Sequence, residues 1–285
     1  MKQIYMKARA KVNLTLNILN KRSDGYHNLE SVFQKINLYD EIYVEKSTSD
    51  ELSLSCNIIE FANQNNIIYK AFNALKEKYS DIGSVKVKLI KHIPSGAGLG
   101  GGSTDAAGFL KAMNKLFNLN CSESELIQIG KTLGADVPPC LQAGSFLAEG
   151  IGEIITHINQ NLKYYIVIIK PDVSFSTKLM FSEVDNSCNI QQKYNSKNVI
   201  KALETGDFSS LSDNLYNVFE EVFDENSEIK HIKRFLIQNG ASNSLMTGAG
   251  SCVFGIFDNK ETSKEAYRKI KKQYETYWCM PYNRR

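Results

Sequence analysis

The segment Gly96-Ala97-Gly98-Leu99-Gly100-Gly101-Gly102 is too rich in glycine to sit inside a helix or strand, yet it passes without a gap into a strongly patterned stretch. From Ser103 onward, Ala106, Phe109, Leu110, Met113, Leu116 and Phe117 fall on one helical stripe, with Asn118 near its end. A backbone with few Cβ atoms bends tightly and lets a ligand approach, and here it presents its N–H groups beside a helix N-terminus. Phosphate is the guest such a loop predicts. A connector that is merely flexible would seldom feed a well-patterned helix directly.

Two familiar phosphate loops do not fit. Gly96, Gly98 and Gly101 satisfy GxGxxG, but the strand before that fingerprint should be buried and parallel, whereas Val85, Val87 and Leu89 alternate with Lys86 and Lys88 and lead to Lys91. The acidic residue expected about 20 positions on is also missing, since that place falls around Asn120 in a helix-to-helix connection. A P-loop needs a lysine after its last glycine, and Gly102 is followed by Ser103-Thr104. Any cation for a γ-phosphate has to come from elsewhere in the chain.

At 285 residues the chain exceeds one usual core, and two domains are expected, residues 1–160 and 161–285. Period-two alternation predicts a half-buried strand over Lys7 to Ile18, with Val12, Leu14, Leu16 and Ile18 on one face and Lys11, Asn13, Thr15 and Asn17 on the other. A turn at Ser23-Asp24-Gly25 and further antiparallel β-structure to Asp40 follow. Helices are predicted from Asn66 to Tyr79, with Asn65 or Asn66 as the residue that caps its start, from Ser103, and from the Ser122/Glu125 capping box to Gly134. A hairpin over Gly144 to Ile155 closes the first half. The second half reads as a strand at Tyr164 to Ile169, helices around Val199 to Leu203, Leu211 to Phe223 and Ile229 to Gln238, strands at Ser244 to Met246 and Cys252 to Phe257, a helix from Glu261 to Tyr274 and a last strand. The fold class is α+β.

The net charge of +3 arises from 34 basic and 31 acidic residues that are interspersed, which argues against a nucleic-acid partner. Cys56, Cys121, Cys140, Cys188, Cys252 and Cys279 have no zinc-ligand spacing and suggest a reducing compartment. With neither an apolar leader nor a run approaching ~18 apolar residues, neither export nor a membrane span is expected, and the cytoplasm is the expected location.

Two charged residues stand out. Lys11 shares a strand face with Asn13, ~7 Å further along, although that pattern alone describes a solvated strand face equally well. Asp136, in Gly134-Ala135-Asp136-Val137-Pro138, lies just past a predicted helix end, where the macrodipole disfavours an anion and a cation would compensate it. A carboxylate beside an ammonium group is also the pair that deprotonates an attacking hydroxyl.

Taken in order, Lys11-Val12-Asn13-Leu14, Gly25-Tyr26-His27, Pro94 to Thr104, Gly134 to Pro138 and Thr247-Gly248-Ala249-Gly250-Ser251-Cys252 resemble the motifs of GHMP kinases across nearly the whole chain. Within that superfamily, Asp24-Gly25-Tyr26-His27 and the Ala10 to Leu14 opening are most similar to the members that phosphorylate CDP-methylerythritol in non-mevalonate isoprenoid synthesis. The resemblance implies a ribosomal protein S5 domain 2-like N-terminal domain and a ferredoxin-like C-terminal domain, with ATP and Mg²⁺ as cofactors and a small-molecule substrate as partner, with no membrane and no obligate protein partner. It implies Asp136 as base and Lys11 beside it. For ATP it implies Asn66, Lys91 and the loop Pro94, Ser95, Gly96, Ala97, Gly98, Leu99, Gly100, Gly101, Gly102, Ser103 and Thr104, with Ser103 near the metal. Tyr26 and Phe181 would sandwich the cytosine, His27 would read its edge, and Asn13 and Thr177 would make further substrate contacts. Ala97, where glycine is frequent, and Pro139, where another apolar residue often follows Val-Pro, depart from the pattern. A GHMP kinase of the mevalonate-pathway or homoserine type would keep the loop but lack the cytosine pocket. A non-catalytic RNA-binding module could share the N-terminal fold, though the dispersed charge argues against it.

Overall fold

The computed structural model describes residues 3–49, 51–187, 190 and 192–283. Of the six cysteines, Cys188 lies outside them; Cys56, Cys121, Cys140, Cys252 and Cys279 are free thiols. Among the described residues no helix is long and apolar enough to cross a membrane. The chain folds as two compact units, one gathering the segment that ends at Ala10 with Leu38–Ser95 and Gly100–Gln142, the other Lys11–Asn37, Gly96–Leu99 and the chain from Ala143 onward. Strands β1 (Gln3–Asn13) and β3 (His27–Lys46) contribute residues to each.

In the first unit, β4 (Leu52–Cys56) runs parallel to β5 (Val85–Ile90), which pairs antiparallel with the end of β3 from Glu41↔Ile90 to Lys46↔Val85. The alternation of β5 works as expected: Val85, Val87 and Leu89 are buried while Lys86 and Lys88 are exposed. Helices α1 (Ile67–Lys78), α2 (Gly101–Phe117), α3 (Glu123–Leu133) and the single turn α4 (Val137–Cys140) bury Phe72, Leu75, Phe109, Leu110 and Met113 in one core with Ile42, Val44 and Leu89. Of the two candidate caps Asn65 and Asn66, the Asn66 side chain caps α1 by accepting from Ile68 N, and the Ser122/Glu125 capping box starts α3 as the sequence predicts. Gly108 lets α2 approach the sheet: a Cβ there would sit 2.9 Å from Ile42 Cδ1.

In the second unit, β2 (Thr15–Lys21) and the first part of β3 form an antiparallel pair, and β3 continues onto the hairpin β6 (Ser145–Gly150) and β7 (Ile154–Ile158), which extends further than the sequence suggests. Strand β8 (Tyr165–Lys170) is followed by α5 (Thr177–Asn186), α6 (Ser196–Thr205), α7 (Phe208–Asp213), β9 (Tyr216–Asn217), a 3₁₀ turn (Val218–Val222), α8 (Glu228–Gln238), β10 (Asn243–Met246), β11 (Val253–Phe257), α9 (Lys260–Ile270) and β12 (Glu275–Cys279). The four strands β10-β11-β8-β12 make an antiparallel sheet with α8 and α9 as its crossovers, the βαββαβ order of a ferredoxin-like domain.

The structure corrects two expectations. The predicted single strand from Lys7 to Ile18 breaks at Leu14 into β1 and β2, and Lys11 to Ile18 is buried on both faces rather than one, because Lys11, Asn13 and Thr15 bond to other parts of the second unit instead of water. The predicted helix from Leu211 to Phe223 breaks at Asn214: Tyr216 N donates to Leu14 O and β9 pairs parallel with β2, a tertiary ladder that outweighs local helix preference. Asp136 lies just past the end of α3, as expected, and also at the N-cap position of α4, but its side chain makes no capping hydrogen bond: Pro138 and Pro139 carry no N–H, and Val137 N donates to Gly134 O. Helix α5, capped by Ser176, is an element the sequence reading passed over.

Candidate active site

Three groups of side chains carry chemistry, the first and third in the second unit and the other in the first. The first is built on the buried strand that leads from Lys11. Lys11 Nζ donates to Asn13 Oδ1 and to Gly98 O, both at 2.8 Å. Thr247 Oγ1 accepts from Asn13 N at 3.1 Å and lies 3.2 Å from both Asn13 Oδ1 and Gly98 O. Asn13 Nδ2 in turn donates to Ser31 Oγ. Lys11 is 3% exposed, so its ammonium is held by fixed oxygens and by the Phe33 ring 5.1 Å away. The middle of the glycine segment is woven into the same group, since Lys11 N donates to Leu99 O and Cys252 N to Ala97 O. Gly98, at φ +74°, packs so closely that a Cβ would lie 2.0 Å from Thr247 O.

The second group flanks the start of α2. Gly100 caps the helix in the left-handed region at φ 71°, and Gly102 is exposed with open space around it, so the first turn presents unobstructed backbone. Ser103 is half-buried in that turn, whereas the Thr104 hydroxyl donates to Arg9 O. Lys91, expected to serve adenine, points its ammonium between two buried acids: it pairs with Asp40 and, at 2.6 Å, with Asp105. Asp40 also accepts from the backbone N–H groups of His92 and Ile93. Burial, reinforced by the charge of Asp40, pushes the Asp105 carboxyl well above the usual carboxylate range despite the opposing pull of Lys91. Burial disfavours charge on Lys91, but the two acids hold its pKa above the ordinary lysine value. These bonds tie the segment after β5, which leads to Pro94 and Ser95, to β3 and α2. Asn66 serves α1 as its cap and donates to Phe61 O, and Asp136 is exposed.

The third group lies on β3 and α5. His27 stacks on Phe181 with ring centroids 4.8 Å apart, and Phe181 meets Phe219 edge-on. His27 Nε2 lies 2.8 Å from Asp185, whose other oxygen accepts from Lys21 at 2.5 Å. The hydrogen bond from Lys21 holds the Asp185 carboxyl below its ordinary pKa. Tyr26 is 58% exposed beside the turn at Gly25, whose φ of +85° glycine alone accepts readily, and Thr177 is an exposed first residue of α5. The structure thus joins Lys11, Asn13 and the glycine segment, and His27 with Phe181. Asp40, Asp105 and Asp185 were missed by sequence reasoning. Asp185 could have been found, because it lies four residues after Phe181 on one helix face, had α5 been seen.

A glycine loop feeding a helix, a fixed lysine and a ferredoxin-like second half define a small-molecule kinase of the GHMP class. Residues 66–144 match the family model for the GHMP kinases N terminal domain and residues 199–276 that for GHMP kinases C terminal. A relative from Alkaliphilus oremlandii, 4-diphosphocytidyl-2-C-methyl-D-erythritol kinase, is 40% identical over 287 residues, covering 99% of this chain and 98% of its own. The enzyme of the same name from Acetivibrio thermocellus is 41% identical over 275 residues, covering 95% of this chain and 96% of its own. A crystal structure of 4-(cytidine 5'-diphospho)-2C-methyl-D-erythritol kinase superposes with a TM-score of 0.85 at 28% identity, covering 99% of this chain and 100% of that one. The chain belongs to the 4-diphosphocytidyl-2-C-methyl-D-erythritol kinase family.

Proposed function

We propose that this chain transfers the γ-phosphoryl group of ATP to the 2-hydroxyl of CDP-methylerythritol, with Asp136 as the base and Lys11 stabilising the charge that develops on the attacking oxygen. The observation that carries the reading is the family match over the full chain, joined to a buried ammonium whose direction is fixed by Asn13 Oδ1 and Gly98 O. Phosphoryl transfer asks little covalent chemistry of a protein and much positioning, and a lysine locked by two acceptors costs no reorganisation at the moment of reaction.

The backbone from Gly100 to Ser103, with Gly102 exposed at its middle, is the proposed cradle for the phosphates, with Pro94 to Leu99 leading into it. Among the described residues no cluster of three or more His, Cys, Asp or Glu could hold a metal by itself. That donor set suits Mg²⁺ carried chiefly by ATP oxygens, with the half-buried Ser103 hydroxyl as the protein's contribution, and the ion would neutralise charge on the phosphates. His27, oriented by Asp185 and backed by Phe181, is proposed to read the cytosine edge; Tyr26, Asn13 and Thr177 complete the proposed acceptor contacts. Asn66 and Lys91 would shape the adenine end from behind, as cap and clamp. We retain the division near residue 160 as the functional one and the cytoplasm as the location.

The test is ADP and product formation from ATP and CDP-methylerythritol by wild type and Asp136→Asn with Mg²⁺ present. The variant should lose about 10²–10⁴-fold in kcat, the range of a general base. An active Asp136→Asn would remove Asp136 from the chemistry. Turnover of homoserine or mevalonate in place of CDP-methylerythritol would overturn the acceptor.

A further inference from the structure

Asn217 is 1% exposed and sits where sequence reasoning placed a helix, in the two-residue strand β9. Its Nδ2 donates to Met246 O at 2.7 Å and to Gly248 O at 2.8 Å, and its Oδ1 accepts from Phe219 N at 3.0 Å. That pattern fixes the amide orientation, since a flipped side chain would aim oxygen at two carbonyls. The two carbonyls bracket Thr247, the residue whose hydroxyl meets Asn13 N, Asn13 Oδ1 and Gly98 O. The backbone of Asn217 is paired with Leu16 on β2, the strand that follows β1 with its Lys11 and Asn13 after a break at Leu14. A closed circuit results: Lys11 to Asn13, Asn13 to Thr247, Thr247 through its flanking carbonyls to Asn217, and Asn217 back to β2, which follows the lysine's strand β1 after a single residue. Gly248 backs directly on the ammonium, for a Cβ there would lie 3.3 Å from Lys11 Nζ.

We propose that Asn217 is a positioning residue for phosphoryl transfer, setting the Thr247-Gly248 turn and through it the direction of the Lys11 ammonium. The inference rests on the kinase reading above. Hydroxyl and amide contacts of this kind matter because small misplacements of a reacting group cost rate more than they cost binding. Glu220 supports the same turn from its other side by accepting from Met246 N, but it bonds to neither carbonyl that brackets Thr247.

The experiment compares Asn217→Asp, which keeps the shape but turns an oxygen toward both carbonyls, and Asn217→Ser, smaller and uncharged, with Val218→Ala, a buried neighbour on the next turn that bonds to nothing near Lys11. Melting temperatures, kcat and both KM values are measured for each, well below the lowest melting temperature. Asn217→Asp should lose ~100-fold in kcat with KM values changed less than ~3-fold, and Asn217→Ser should fall between it and wild type. Val218→Ala should lower the melting temperature yet keep kcat within about twofold. Equal kcat losses in Val218→Ala and Asn217→Asp, or a kcat for Asn217→Asp within about twofold of wild type, would overturn the proposal. Were wild type itself inactive on CDP-methylerythritol, the kinase reading would fall and crystal structures of the two Asn217 variants would still decide: a Thr247 hydroxyl left in hydrogen-bonding distance of Asn13 N overturns the inference, and its displacement supports it.

Discussion

Replacing Gly98 by alanine separates two costs that usually travel together. Gly98 has φ +74°, and the left-handed region costs an L-residue ~1–2 kcal/mol. The added Cβ would also lie 2.0 Å from Thr247 O and 3.0 Å from Thr247 C, backbone atoms that cannot rotate away. Overpacking of this kind adds ~1–3 kcal/mol. The sum, ~2–5 kcal/mol, corresponds at ~2–4 °C per kcal/mol to a melting temperature lower by about 4–20 °C. Gly96→Ala is the internal reference, because Gly96 has φ +62° but nothing within 4 Å, leaving only the backbone cost of ~1–2 kcal/mol. Gly102→Ala completes the series: it has open space in the first turn of α2, so alanine should hold or raise stability by up to ~1 kcal/mol while raising KM for ATP if phosphate rests on that backbone. Differential scanning calorimetry and initial-rate kinetics on the three variants read all these terms. Equal melting temperatures for Gly98→Ala and Gly96→Ala would refute the close packing of Gly98 against Thr247.

Lys91→Met leaves Asp40 and Asp105 buried without their cation and should cost ~3–5 kcal/mol in urea unfolding; a loss below ~1 kcal/mol would mean that water reaches the triad. Glu125, held by Lys78 and the Ser122 cap, has its pKa lowered to about 2 from the ordinary 4.5. Its folded value is depressed, so its contribution is present above about pH 4.5 and is lost as pH falls toward 2. Glu125→Gln should therefore flatten the melting-temperature profile across that window, and an unchanged slope would sink the assignment.

Much of the first unit was legible because its signals are local. The Asn66 cap, the Ser122/Glu125 box, the stripe of α2 and the alternation of β5 each depend on residues within a few positions of one another. The failures share one cause. Nothing local marks Asn217 as a strand residue; β9 exists because Leu14 and Leu16 offer it a ladder from two hundred residues away in sequence. The polar face of Lys11, Asn13 and Thr15 looked solvated because its partners Gly98, Thr247, Ser31 and Ser196 lie outside the local sequence window. Lys91 likewise carried no sign of being enclosed between Asp40 and Asp105.

The sequence by itself determined that a glycine loop would meet a helix N-terminus, that the fold would mix helices with antiparallel strands, and, through motif order, which kinase class the chain resembles. Those properties follow from backbone freedom, side-chain periodicity and short-range capping, all of which are written in neighbouring residues. Only the tertiary structure decided which way the Lys11 ammonium points, which acids claim Lys91, that His27 leans on Asp185 and Phe181, and that Asn217 grips the turn carrying Thr247. Each of these depends on groups that the tertiary fold brings together, Gly98 with Lys11 and Asp185 with His27 among them, and on burial that exists only once the core has closed.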